Sequence, residues 1–232
     1  GSNVRATKDE RDEAWEAAAL RMWRRARPSK VLSGVAIRPA FVEIFHAVQD
    51  SINAWQYNID DTDLCAALVH KAMQGVRIRL ILDHKNFYSS PCARQGKRVK
   101  ELYDAGCQLR LLRTGPSVTH QMHSKAGIFD AGLPSQVMLI GTCNWTHNGF
   151  ENNLEHVMMN YEAECIGEMM ENFEGDWLVA SPVTDEDIQV MWERQKRRDA
   201  RYLLERRTRN SKSCLLYTSP SPRDGLLSRM PS

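Results

Sequence analysis

The apolar positions of this chain switch repeatedly between a spacing of three to four and short continuous runs. Phe41, Ile44, Phe45, Val48 and Ile52 recur at i, i+3, i+4, i+7 and i+11, which places them on one face of a helix. Runs rich in β-branched and apolar residues flank that helix, at 31–37 ahead of Pro39 and at 54–59 behind it, and predict two strands. Asp60, Asp61 and Thr62 supply caps for a second helix closed by Gly75, a residue suited to the left-handed turn that ends helices. A strand over 76–82 then closes on Asp83, a helix over 96–105 is followed by Gly106, and another strand covers 107–112. Residues 123–130 and 136–141 predict two strands joined by a Gly-Leu-Pro-Ser turn. Residues 162–177 predict a helix with Ile166, Met169, Met170 and Phe173 on one face. The pattern predicts an α/β fold, a mixed central β-sheet flanked by helices.

Both ends read differently. Thr7 with Glu10 makes a capping box for a helix over 8–27, acidic early and basic late, as a helix dipole favours. Residues 185–209 predict a long polar helix, whose 194–209 part holds eight basic and two acidic residues. The expected organisation is an N-terminal helix in 1–29, a main domain in 30–180 and a basic C-terminal helix in 181–213. In 214–232, the segments CLLYTSPSPRD and SRMPS back-translate into a sequence resembling a transposase-type adapter of short-read libraries. That stretch is therefore set aside as a translated adapter.

Charge and cysteine content change the picture little. The 232 residues carry a net charge of +2, which falls to +1 when Arg223, Arg229 and Asp224 of the final stretch are removed. A near-neutral chain makes no global case for nucleic acid. No apolar run reaches the roughly 20 residues that span a bilayer. Before residue 214 the cysteines are Cys65, Cys92, Cys107, Cys143 and Cys165. Their scatter and odd number argue against a zinc ribbon or a disulfide framework, and favour free thiols in an intracellular setting.

The chemistry lies between residues 123 and 155. His123 and Lys125 are two apart on an expected strand, so their side chains share a face. That pairing sets a nucleophilic imidazole beside a cation able to hold a phosphate oxyanion. Asn144 can donate an amide N–H and Thr142 a hydroxyl to the same oxygens. Glu155 can accept the proton on the other nitrogen of His123, fixing its tautomer. Asp130 falls on the opposite strand face by parity and is read as a supporting member of the set. No metal or other cofactor is needed, because Lys125 and Asn144 supply the charge stabilisation.

His123-Ser-Lys125-Ala-Gly-Ile-Phe-Asp130, then Gly141-Thr142-Cys143-Asn144-Trp145-Thr146, then Asn153-Leu-Glu155, resembles the signature of the phospholipase D superfamily: HxKxxxxD, GSxNWT, NxE. The resemblance extends over 31–177. Thr142 stands where the family usually has Ser and keeps the hydroxyl, and the turn after Asp130 is about four residues longer than the family pattern. The resemblance implies phosphodiester hydrolysis through a phosphohistidine. It is strongest to single-motif members, namely bacterial endonucleases and mitochondrial cardiolipin hydrolases, which would admit a mitochondrial surface location. The cysteine cluster that binds zinc in animal members is absent from 31–40.

One histidine cannot act as nucleophile and as acid for the leaving oxygen at once. The family supplies the second from another copy of the motif. None occurs here, so the expected partner is a second copy of the chain in a twofold homodimer, with half of a two-motif enzyme as the rival reading. A phospholipid membrane surface and single-stranded nucleic acid are the two expected substrates, and a non-catalytic phosphate-binding module is the third reading. An apolar rim would favour lipid and a narrow basic groove would favour nucleic acid. His46, His70, His84, His147 and His156 read as surface or core residues, and His120 as a loop residue. Trp145 reads as packing beneath the site, Cys143 as an inert thiol facing away from Asn144, and Asp60, Asp61 and Asp63 as helix caps rather than calcium ligands.

Overall fold

A computed structural model describes residues 28–89, 94–116 and 120–217, with side chains to 209. The helix expected over 8–27, Cys92 and the stretch 218–232 lie outside the described residues. The chain enters as strand β1 (Lys30–Ser33). Gly34 then takes φ 52 and opens a 3-10 turn (Gly34–Ala36) that leads directly into helix α1 (Ile37–Ala47). The strand expected over 31–37 therefore stops at Ser33, because the left-handed conformation of Gly34 cannot continue a strand. Pro39 sits in the first turn of α1, where its missing N–H has no intrahelical carbonyl to meet.

Helix α1 buries Ile37, Phe41 and Phe45, each worth about 1.5–3 kcal/mol. Val48 turns extended, at ψ 136, so Ile52 is not the last residue of the helical face. It belongs instead to strand β2 (Ser51–Gln56), which starts earlier than expected and is buried at all six positions. Helix α2 (Thr62–Met73) is capped as read: the Asp61 carboxylate accepts from the Leu64 N–H. Strand β3 (Arg77–Asp83), short helix α3 (His84–Ser89), helix α4 (Gln95–Asp104) and strand β4 (Gln108–Leu112) follow. Next come strands β5 (Lys125–Phe129) and β6 (Val137–Gly141), short helix α5 (His147–Glu151) and strand β7 (His156–Asn160). Helix α6 (Ala163–Val179), strand β8 (Ser181–Pro182) and helix α7 (Asp185–Tyr217) complete the order.

The strands form one mixed eight-stranded sheet in the order β1-β7-β6-β5-β2-β3-β4-β8. The pairs β2–β3 and β3–β4 are parallel, and the other pairs are antiparallel. Alternation along the central strands feeds two cores. Ile52, Ala54, Leu80, Leu82 and Phe129 pack with α1, α2 and α4 on one face, while Trp55, Ile81, Ala126 and Ile128 pack with Ile166, Phe173 and Trp177 of α6 on the other.

The chain divides into two compact units after Trp192. The second contains the remainder of α7, a polar helix carrying the pairs Lys196–Glu193 and Arg201–Glu205. Among the described residues no helix is long and apolar enough to cross a membrane.

Candidate active site

The topology brings the chemistry to one edge of the sheet. Parallel β2, β3 and β4 end there, at Gln56, Asp83 and Leu112, and antiparallel β5 begins there at Lys125, paired with Gln56. Strand β6 ends at the same edge with Gly141, opposite Val157 near the start of β7. In sheets with parallel strands this carboxyl edge is where ligands bind.

His123 lies just before β5 rather than on it. Its exposed ring packs against Tyr57, with centroids 4.6 Å apart. Lys125 is buried. Its ammonium donates to the His123 carbonyl at 2.5 Å and lies 5.3 Å from the centre of the Tyr57 ring. Tyr57 therefore touches both members of the pair, favourably for a cation over a ring face. Partial burial, then the Lys125 charge, hold the His123 imidazole below the ordinary histidine range, against an opposing pull from Asp83. The ring is thus biased toward the neutral, nucleophilic form. Burial also lowers the pKa of Lys125, while Glu155 acts to raise it.

Thr142 and Glu155 meet side by side. The Thr142 hydroxyl donates to Glu155 Oε2 and accepts from the His156 N–H at 3.1 Å. Glu155 Oε1 accepts from the Asn153 amide at 3.0 Å. The hydrogen bond expected from His123 to Glu155 does not occur among the described residues; the carboxylate instead braces Thr142 and faces Lys125. Close approach of β6 and β7 makes this pairing possible: a Cβ on Gly141 would come within 2.1 Å of the His156 carbonyl oxygen.

Asn144 sits on a loop pinned from β2 and the segment behind it. Gln56 Oε1 accepts the Trp145 N–H at 3.1 Å, the Asp60 and Asp61 amides donate to the Trp145 carbonyl, and Thr146 caps α5 through the Gly149 N–H. Trp145 packs edge-on to Phe41 and Phe45 beneath the site. The Asn144 Oδ1 is buried and has no hydrogen-bond partner among the described residues. Leaving such an acceptor unpaired costs about 1–3 kcal/mol. Cys143 is buried, and burial pushes its thiol up to about 12, which leaves it unreactive.

Asp130 is not at this edge. It follows the far end of β5, about 16 Å along the strand from Lys125 at 3.3 Å per residue. Its buried carboxylate accepts the amides of Gln49, Asp50 and Ser51 and the Ser135 hydroxyl. It ties the α1–β2 turn to the β5–β6 turn, a supporting place at the end of the strand away from His123 and Lys125.

Two residues at the site escaped the motif. Tyr57 follows β2, and Asp83 ends β3. Asp83 accepts the Met122 N–H at 2.9 Å and the Asn86 N–H at 2.7 Å, while the Asn86 amide holds the Tyr57 carbonyl. Asp83 thereby positions the segment leading into His123. The available signal was their place at the ends of parallel strands rather than any spacing to His123.

Similarity to known proteins covers the same part of the chain. Residues 41–177 match the family described as cardiolipin synthase, PLD-like domain. Mitochondrial cardiolipin hydrolase of Mus musculus is 28% identical over 131 residues, covering 56% of this chain and 53% of that protein. Cardiolipin synthase 2 of Bacillus anthracis is 29% identical over 123 residues, covering 53% of this chain and 22% of that protein. The chain thus spans about half or less of the curated relatives it matches. Among solved structures, the phospholipase D family member Nuc of Salmonella typhimurium superposes with a TM-score of 0.58 at 17% identity, over 68% of this chain and all of that one. That likeness establishes a shared fold.

Proposed function

The chain belongs to the PLD-like domain family of the phospholipase D superfamily, and from that membership we propose that it is a metal-independent phosphodiesterase that cleaves phospholipid through a phosphohistidine. The observation that carries this reading is the exposed His123 ring held over Tyr57, with the buried Lys125 ammonium beside it.

In the first step an imidazole nitrogen of His123 attacks phosphorus, the P–N bond forms and the P–O bond to the leaving alcohol breaks. Lys125 and the Asn144 amide stabilise charge on the non-bridging oxygens, which water cannot do as well because their orientation is set before reaction. The leaving oxygen takes a proton from His123 of a second copy of the chain, and that same histidine then removes a proton from the water that cleaves the P–N bond. The homodimer is part of the proposal because one chain supplies one histidine of this kind.

Lipid is favoured over nucleic acid by the rim. Val35 and Leu154 are 91% and 82% exposed. They flank Glu155: Leu154 precedes it, and the N–H of Gly34, the neighbour of Val35, donates to the Glu155 carbonyl at 3.3 Å. Two solvent-facing aliphatic groups beside a charged site suit a substrate that brings acyl chains. The alternative, an endonuclease on single-stranded nucleic acid, draws on the basic run over 194–209. A non-catalytic phosphate-binding module would bind without turnover.

The full chain and His123→Ala, each with EDTA throughout, would be given cardiolipin vesicles and labelled single-stranded DNA or RNA. Turnover of cardiolipin by the wild type alone is expected. Turnover of nucleic acid alone selects the endonuclease, EDTA-sensitive turnover rejects the metal-free mechanism, and binding without turnover selects the third reading.

A further inference from the structure

One basic group near this edge has no role in the chemistry above. Arg113 follows the end of β4, and His84 follows the end of β3, where Asp83 and Leu112 are register partners. Arg113 Nη2 lies against the His84 imidazole, 3.2 Å from Nε2 and 3.4 Å from Nδ1. Arg38, Arg77, Arg79, Arg98 and Arg201 each meet a carboxylate. Arg113 forms no ion pair among the described residues and is exposed.

His84 is itself fixed. Its ring packs edge-on to Tyr88, at 5.5 Å, and Tyr88 donates to Asp187 at 2.5 Å. Burial and the Arg113 charge hold the His84 imidazole low, against Asp83 and Asp187, so it serves Arg113 as a neutral acceptor. The two nearby acids are engaged with neutral donors: Asp83 with the amides of Met122 and Asn86, Asp187 with Tyr88 and Thr184. A guanidinium oriented by a neutral partner keeps most of its forked donors for an anion.

The separation suits a second phosphate. Strand β4 is two strands from β2, whose Tyr57 carries the His123 ring. Lys125 begins β5, one strand further on, so at about 5 Å per strand the backbones of the two sites lie roughly 10–15 Å apart, a span that the long side chains of Arg113 and Lys125 shorten toward the length of one glycerol bridge. We propose that Arg113, oriented by His84, binds the second, non-reacting phosphate of a phospholipid that carries two, so that the enzyme selects such lipids over those with a single phosphodiester. This rests on the phospholipid reading above.

The test compares cardiolipin with phosphatidylglycerol in vesicles of matched net charge, using the full chain. Arg113→Gln is expected to lower the ratio of kcat/KM for cardiolipin to that for phosphatidylglycerol by about 10- to 100-fold, the loss of charge-assisted hydrogen bonds to one phosphate. His84→Ala should lower the same ratio, and His84→Asn, which retains an acceptor, should restore much of it. An unchanged ratio in Arg113→Gln overturns the proposal. A second arm needs no turnover: His123→Ala protein should bind glycerol 1,3-bisphosphate more tightly than glycerol 3-phosphate, and lose that preference with Arg113→Gln. Preference retained without turnover of either lipid would overturn the hydrolase and uphold the subsite. Preference only for a 5′-phosphorylated dinucleotide over its unphosphorylated form would overturn the lipid as its source.

Discussion

Tyr57 touches His123 and Lys125 together through its ring. Tyr57→Ala is expected to lower kcat by about 3- to 30-fold, the scale of a lost aromatic and cation–π contact, and Tyr57→Phe, which keeps the ring, is expected to lose less; steady-state kinetics on either substrate checks both. The depressed pKa of His123 has a definite sign in a pH profile. The nucleophile must be neutral, so the acid limb of kcat/KM should lie below the ordinary histidine value of about 6.5. Asp83 opposes that depression, so Asp83→Asn should move the limb further down, and an upward movement would contradict the assignment. At this scale the sequence was informative where spacing encodes chemistry, as for His123, Lys125, Thr142, Asn144 and Glu155. It was silent on Tyr57 and Asp83, which reach the site because parallel strands end together there. It did not show that Asp130 serves the far end of the strand or that Glu155 meets Thr142 and Asn153. Parity tells which face a side chain takes, not which end of the strand it serves.

Strand β7 has to pass close to the end of β6 for Thr142 to meet Glu155, and Gly141 permits it. Gly141→Ala is expected to destabilise the fold by about 1–3 kcal/mol and to lower activity beyond the loss of folded protein, as measured by urea unfolding beside kinetics. Asp130 predicts the opposite division. It holds three amides of the α1–β2 turn and sits at φ 50, a conformation asparagine also tolerates. Asp130→Asn should therefore cost about 1–3 kcal/mol of stability while the folded fraction keeps its turnover. The long periodic helices were legible from spacing alone. Strand β2 was displaced because all six of its residues are buried and give no alternation. Strand β7 and helices α3 and α5 were not read, being five or six residues long and therefore too short for a period to show.

At the scale of the whole molecule, one histidine per chain serves in the proposed shared site. If subunits exchange, an equal mixture of wild type and His123→Ala should retain about a quarter of the wild-type activity, since only dimers with two intact histidines work. Retention of about half would mean that each chain acts alone. The most direct test of the central claim is to quench a reaction with a slow-leaving phosphodiester and look for the adduct by mass spectrometry under alkaline conditions, where a phosphohistidine survives. One phosphoryl adduct is expected, on the peptide containing His123 and absent from His123→Ala. Turnover with no adduct there, or with the adduct on another residue, would contradict it.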